Sequence, residues 1–365
     1  MEFSVHETSL TLCTPKDLPA EQRLGFSRRE FEMAHSAIKA GFITAAIAAS
    51  AGLAHAQAVY GLTSVLGASG LVRIDAQSPA LVSIPVVITG LQGGETILGI
   101  DFRPANNRLY GLGSTGRIYS IDVHTGMATQ SGTGTFVIPL SGDNFGFDFN
   151  PTVDRIRITS DTGQNLRAHP DTGAIVDGDT NAGGIQPDGN LAYAAADVNA
   201  GETPRIVASA YTNSNPGATT TTLYNIDSDL DVLVTQLPPN AGTLNTVAEI
   251  SVPVATATGF DIGPGNIAYF STRTILLTTT LSTLDLSNGD ATLQGVIGLA
   301  PVDVDDIAVV LCAADFDHTG FVDTDDFTAF VNAFEAGDIH ADFDGTGFVD
   351  TDDYDAFVRA FEAGC

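Results

Sequence analysis

Three stretches decide the fold: Gly99-Ile100-Asp101-Phe102-Arg103-Pro104, Gly146-Phe147-Asp148-Phe149-Asn150-Pro151 and Gly259-Phe260-Asp261-Ile262-Gly263-Pro264. Two weaker copies read Ala195-Ala196-Asp197-Val198-Asn199-Ala200 and Asp305-Asp306-Ile307-Ala308. All but the last are followed by a short strand, as at 108–112 and 266–270, and then by strands ending in an aspartate, as at 117–122, 222–227 and 282–285. A turn such as Thr125-Gly126 and a fourth strand close the unit. The segments are short, rich in β-branched residues and bounded by Gly, Asn, Asp and Pro, which is the punctuation of strands and hairpins. No helical period is sustained between residues 59 and 311.

The repeat is incomplete at both ends. The first unit, 59–84, has a second, third and fourth strand but no first, and the last copy, around Asp306, has a first strand and nothing after it. A ring in which the last strand completes the first blade accounts for both and removes the exposed sheet edges. Residues 57–311 then divide into five units of roughly 50 residues, within the range of propeller blades. The expected fold is mainly β: a five-bladed β-propeller of four-stranded blades, with a β-sandwich as the alternative. The pattern G-[IF]-D-F-x-P, then R-[LI]-Y-G-L, then [LI]-Y-x-I-D-x-x-T-G-x-A-T resembles a bacterial propeller-like domain family of unknown function. The resemblance implies a fold and no activity.

The repeat aspartates Asp101, Asp148, Asp197, Asp261 and Asp306 are expected in the innermost strand of each blade. Like charges near one axis repel unless hydrogen bonds or a cation compensate them. Repetition in every blade favours a structural role, each carboxylate accepting backbone N–H groups, over a cation or ligand site at the channel mouth. Gly111-Leu112-Gly113-Ser114-Thr115-Gly116 has the spacing of a dinucleotide-binding loop, but a strand rather than a helix follows it, so it reads as a hairpin turn. His124 and His169 read as solvated turn residues, and Arg155 and Arg157, on one strand face, as an exposed structural pair rather than an anion site. No catalytic residue is assigned.

The chain has 365 residues, with 15 Lys and Arg against 44 Asp and Glu, for a formal charge of −29. That balance argues against nucleic acid and anionic membrane surfaces as partners. The apolar run at 40–54 follows Lys39 and precedes Ala54-His55-Ala56. It is short for a bilayer span and reads as a cleaved export signal over 1–56. Ser27-Arg28-Arg29-Glu30-Phe31 resembles the twin-arginine motif, although Glu32 stands where an apolar residue is usual. Translation from Met33 is the alternative. Beyond residue 56 there are ten arginines, no lysine, 38 carboxylates, two cysteines and no further candidate membrane span.

The C-terminus, 312–365, carries the sharpest signal. Residues 315–335 and 342–362 repeat at a spacing of 27, each opening with a twelve-residue calcium loop. In the first, positions 1, 3, 5, 7, 9 and 12 are Asp315, Asp317, Thr319, Phe321 (through its carbonyl), Asp323 and Asp326; in the second they are Asp342, Asp344, Thr346, Phe348, Asp350 and Asp353. Gly320 and Gly347 allow the sharp bend at position 6. Hard oxygen donors at this spacing suit two Ca²⁺ ions, although Thr at position 5 and Asp at position 12 are weaker ligands than usual. Residues 311–314 are too short for an entering helix. Phe327, Phe330, Val331 and Phe334 follow the first loop, and Tyr354, Phe357, Val358 and Phe361 the second, at spacings that give two apolar helix faces able to bury each other.

A duplicated loop–helix with Asp at position 12 resembles a dockerin, in the variant ending in Gly-Cys, here Gly364-Cys365. The resemblance implies attachment to a cohesin-like or other cell-surface partner through loop positions 10 and 11, which are Thr324, Asp325, Thr351 and Asp352. Cys312 and Cys365 bracket the module and are expected to form a disulfide in an exported protein, the alternative being a Cys365 thiol kept for covalent anchoring. The sequence thus points to a bacterial protein, secreted or held at the cell surface, non-catalytic, whose propeller ligand is unknown and whose calcium-loaded tail attaches it to a surface or scaffold. An extracellular hydrolase or lyase acting on glycans or esters, carried by the same tail, is the alternative.

Overall fold

Short runs of mostly buried residues, broken by glycine and asparagine turns, form twenty β-strands in a computed structural model that describes residues 57–274, 278–299, 302–317, 322–343 and 348–363. The expected export signal lies outside the described residues. Strands are numbered in chain order. The first blade contains β1 (Ala58–Val65), β2 (Ala68–Asp75) and β3 (Val86–Val87), and the second β4 (Ile97–Arg103), β5 (Arg108–Gly113), β6 (Arg117–Ile121) and β7 (Ala128–Gln130). The third has β8 (Phe145–Asn150), β9 (Arg155–Ser160) and β10 (Asn165–Ala168). The fourth has β11 (Ala192–Tyr193), β12 (Ile206–Tyr211), β13 (Leu223–Asp227), β14 (Val232–Gln236) and β15 (Thr243–Glu249), and the fifth β16 (Thr258–Ile262), β17 (Ala268–Arg273), β18 (Thr279–Leu284) and β19 (Ala291–Val296).

The last strand, β20 (Val304–Val309), returns to the first blade and pairs antiparallel with β1, with Val59 opposite Val309 and Leu62 opposite Asp306. The sheet order is therefore β20-β1-β2-β3, and the innermost strands β20, β4, β8, β12 and β16 contact one another in a closed cycle. The five-bladed ring closed by the C-terminal strand is as the sequence implies. Two blades depart from four strands: the third has three, and the fourth has five because β11 adds in parallel to β15.

The repeat copy at 195–200 also departs from expectation. It is a turn between β11 and β12, not an innermost strand, and Asp197 there accepts the Asn199 N–H at 2.9 Å and the Thr246 N–H at 2.6 Å. The innermost strand of the fourth blade is β12, in which Ala208-Ser209-Ala210 stands in place of Gly-x-Asp.

The core lies in the seams between blades. Leu62 and Tyr60 pack with Phe102, Tyr119 and Ile121 between the first and second. Leu112 meets Phe147, Phe149 and Ile158 between the second and third, and Ile226 and Leu233 meet Phe260 and Phe270 between the fourth and fifth. Each such side chain, fully buried, contributes about 1.5–3 kcal/mol. The motif glycines let the inner strands come this close. A Cβ on Gly99 would lie 2.7 Å from the Cβ of Phe147, and one on Gly259 would lie 2.5 Å from the Ile307 nitrogen.

After the propeller come two helices, α1 (Thr324–Ala336) and α2 (Thr351–Ala363). Asp323 caps α1 in a reciprocal box with Asp326, and Gly337 ends it at φ 65°. The apolar faces meet through Phe330 and Phe357, both fully buried and stacked with centroids 4.0 Å apart and planes 6° from parallel. Among the described residues no helix is long and apolar enough to cross a membrane.

Candidate metal loops and axial carboxylates

The start of α1 gathers loop positions 1, 3 and 12. Asp315, Asp317 and Asp326 each bring a carboxylate oxygen within 4.8 Å of the other two. Asp326 is positioned by the helix start itself: its Oδ1 accepts the Asp317 N–H at 3.0 Å and its Oδ2 the Asp323 N–H at 2.8 Å. Burial pushes its carboxyl up, against the pull of those two N–H groups. Asp323, at position 9, accepts the Asp325 N–H at 2.8 Å.

The second copy repeats this scaffold. Asp353 Oδ1 accepts the Phe343 N–H at 2.6 Å, its Oδ2 accepts the Asp350 N–H at 2.8 Å, and Asp350 accepts the Asp352 N–H at 2.9 Å. Asp315, Asp326, Asp342 and Asp353 are all buried. The tail holds fourteen carboxylates against a single arginine, Arg359. An all-oxygen donor set with so little cationic compensation fits a hard divalent cation and does not suit soft metals. Thr319, Phe321, Asp344, Thr346 and Cys365 lie outside the described residues. Thr324, Asp325, Thr351 and Asp352 are exposed at the two helix starts.

In the propeller, four of the five repeat aspartates act as clasps between blades. Asp306 Oδ2 accepts the Ile100 N–H at 2.8 Å, Asp101 Oδ2 the Phe149 N–H at 2.7 Å, Asp148 Oδ1 the Tyr211 N–H at 3.0 Å and Asp261 Oδ2 the Val309 N–H at 2.5 Å. Each bond runs from one innermost strand to the next. The seam from β12 to β16 lacks this clasp because Ala210 occupies the aspartate position.

All four are buried, and Asp101, Asp148 and Asp261 bring oxygens within 4.8 Å of one another. Burial raises all four; Asp261 reaches about 6, and proximity to Asp261 raises Asp101 and Asp306 further, as Asp101 and then Asp261 do for Asp148. The cavity of about 320 Å³ where the innermost strands begin is lined instead by groups such as Thr63, Asn144 and Asp305, so the four are enclosed rather than displayed at the channel mouth.

Three further residues are not where the sequence suggests. Arg157 is not exposed: it is 2% accessible and pairs with buried Asp188 at 2.7 Å, while Arg155 beside it stays half-buried. His124 is not a solvated turn residue. Its ring lies 4.6 Å from that of His340 and 5.7 Å from that of Phe316, so it joins the second blade to the tail. Burial, and then His340, push His124 down. Asn107 makes a second link, donating to the Cys312 carbonyl at 3.1 Å, which no sequence pattern signals. His169 does sit in a turn, its Nδ1 accepting the Asp171 N–H at 3.2 Å, and the glycine-rich segment at 111–116 is the hairpin turn between β5 and β6.

Several solved structures are similar at low identity. One is a glutaminyl cyclase from Myxococcus xanthus, at 14% identity over 57% of this chain and 79% of that one, with a TM-score of 0.36. Another is a Bacteroides thetaiotaomicron protein of unknown function, at 14% identity over 71% and 68%, with a TM-score of 0.38. A third is an engineered GH43 glycoside hydrolase, at 12% identity over 65% and 50%, with a TM-score of 0.37. No curated protein matches the chain. The family described as "Domain of unknown function (DUF4394)" matches residues 70–308, which take in four complete blades and part of the first. The chain therefore belongs to the DUF4394 family, and its propeller is that family's domain.

Proposed function

We propose that this is an exported, non-catalytic binding protein of the bacterial surface, in which a duplicated, dockerin-like calcium module attaches the propeller to a surface or scaffold partner. The observation that carries the reading is the convergence of Asp315, Asp317 and Asp326 at the start of α1, on a scaffold repeated by Asp350 and Asp353 at the start of α2. Asp315, Asp317, Thr319, Phe321, Asp323 and Asp326 would hold one ion, and Asp342, Asp344, Thr346, Phe348, Asp350 and Asp353 the other. Bound calcium supplies the positive charge that lets these carboxylates stay ionised and close together.

The chain's own residues do the rest. Asp323 and Asp326 fix the first turn of α1, Phe330 and Phe357 lock the two helices together, and Thr324, Asp325, Thr351 and Asp352 are left exposed for a cohesin-like partner. A disulfide between Cys312 and Cys365 would tie the ends of the module, contributing roughly 2–4 kcal/mol.

The test is capture from envelope extract by the chain in calcium, by the chain in chelator, and by an Asp315→Ala/Asp342→Ala double variant in calcium. A partner retained only by the unaltered chain in calcium supports the reading. Retention that ignores both chelator and variant, or no calcium-dependent partner at all, removes it.

A further inference from the structure

We infer that the seam between the third and fourth blades is a binding site for a small organic oxyanion, a carboxylate or sulfate ester carried on a body of one or two rings. The site is a cavity of about 460 Å³ at the end of the ring where the innermost strands finish. That volume falls within the range of small-molecule sites. Its polar wall is formed by Arg155 and Arg157, two apart on one face of β9, and by Arg167 on the neighbouring β10. Three of the ten arginines beyond residue 56 thus line one cavity in a chain of formal charge −29. Such a local reversal of sign concentrates anions.

The nearby carboxylates are already engaged. Asp188 is held by Arg157 at 2.7 Å and by both ends of the Arg167 fork at 2.7 and 2.8 Å. Asp154 and Asp171 are held by Arg103 at 2.5 and 2.6 Å. Arg155 has no ion pair among the described residues; its Nη1 donates only to the carbonyls of its own turn, Val153 at 3.3 Å and Asp154 at 2.7 Å. Its Nε and Nη2 donate to no protein group among the described residues.

Arg157 is fixed from four directions, its Nε bonding Tyr211 Oη, its Nη1 bonding Asn165 and Asp188, and its Nη2 bonding Asn240, which leaves one Nη2 hydrogen. Arg167 likewise keeps both Nη1 hydrogens clear of protein acceptors among the described residues. A rigid buried guanidinium beside a more accessible one is suited to oxyanion recognition, where the planar fork gives two parallel charge-assisted bonds. Val153, Val176, Pro238 and Pro239 add apolar lining against which a ring can lie. The inference concerns the propeller's ligand and is independent of the tail.

The test is titration calorimetry of the full chain with galacturonate, glucose 6-sulfate, benzoate, inorganic sulfate and neutral galactose. Arg155→Met and Val153→Glu are compared with the unaltered chain, and circular dichroism melts check that all three are folded. Arg155 and Val153 are rim positions, so both variants should melt like the parent. At least one ring-bearing anion is expected to bind, and to bind more tightly than inorganic sulfate, with galactose inert. Arg155→Met should weaken that binding roughly ten- to a hundredfold, as loss of a charged donor does, and Val153→Glu should abolish it. The uronate and sulfate arms identify which oxyanion is preferred. Failure of every anion to bind, equal binding of galactose, or unchanged affinity in folded Arg155→Met would each overturn the inference.

Discussion

Replacing Asp261 by asparagine should remove a pH dependence that the axial carboxylates impose on the propeller. Asp261 is buried and its carboxyl is raised from 3.8 to about 6, burial being the cause. A folded pKa above the unfolded value means that the folded chain holds the proton more tightly. Below pH 3.8 the group is protonated in both states and has no effect. Between 3.8 and about 6 the unfolded chain ionises while the folded one does not, so stability falls as pH rises. Above about 6 the loss is constant, at about 3 kcal/mol for a shift of this size. Asp101, Asp148 and Asp306, raised well above the usual range, extend the same trend to higher pH.

Asparagine cannot ionise, and it keeps an oxygen for the Val309 N–H. The assay is urea unfolding of parent and Asp261→Asn chains in chelator from pH 4 to pH 8. Taking the difference between the two cancels the surface carboxylates, such as Asp122 and Asp171, that are held low by hydrogen bonds and work in the opposite direction. The parent should lose about 3 kcal/mol relative to the variant across the window. A difference that is flat would refute the reasoning. A parent that instead gains stability over the variant as pH rises would mean that Asp261 is ionised in the folded chain and stabilised there.

Other substitutions test the packing. Gly259→Ala puts a Cβ 2.5 Å from the backbone of β20 and should cost about 1–3 kcal/mol or more in urea unfolding, whereas Gly93→Ala, with no atom within 4 Å, should be near neutral. Phe330→Ala removes half of the central stack in the tail and should cost about 3–5 kcal/mol, read as lost amide protection in α1 and α2 while the propeller strands stay protected. Asp188→Asn strands buried Arg157 and should destabilise the third and fourth blades by about 3–5 kcal/mol, seen as a lowered unfolding midpoint.

Ring closure was legible because its signature is positional: a blade without a first strand at one end and a first strand without a blade at the other. The Gly-x-Asp motif was legible as a repeat, but its partner was not, because each aspartate bonds to the next blade, 48 to 63 residues away for Asp101, Asp148 and Asp261 and 206 for Asp306 across the ring closure. The fourth blade departs from the repeat for a related reason. Its seam is held by apolar side chains such as Val207, Phe260 and Ile262, and β12 carries Ala208-Ser209-Ala210 in place of the motif. The Asp197 turn looks like the motif because aspartate serves turns and clasps with the same lone pairs.

Arg157 looks exposed from the sequence because its neutralising partner, Asp188, lies 31 residues away in a loop. In the tail the aspartates that converge are close in sequence, so the grouping of Asp315, Asp317 and Asp326 could be read from spacing alone. That positions 9 and 12 also cap the following helix is visible in hindsight in Asp323-Thr324-Asp325-Asp326, a capping-box pattern with Asp at N3 in place of Glu. The contact of His124 with Phe316 and His340 had no sequence signal at all, being a meeting of two modules.

The central claim is that two tail loops bind calcium and that the attachment module depends on them. Its most direct test is a calcium titration by calorimetry on the chelator-stripped chain and on Asp315→Ala, Asp342→Ala and the double variant. The account predicts two ions per chain for the parent, one for each single variant and none for the double. Two ions bound by the double variant, or none by the parent, would contradict it.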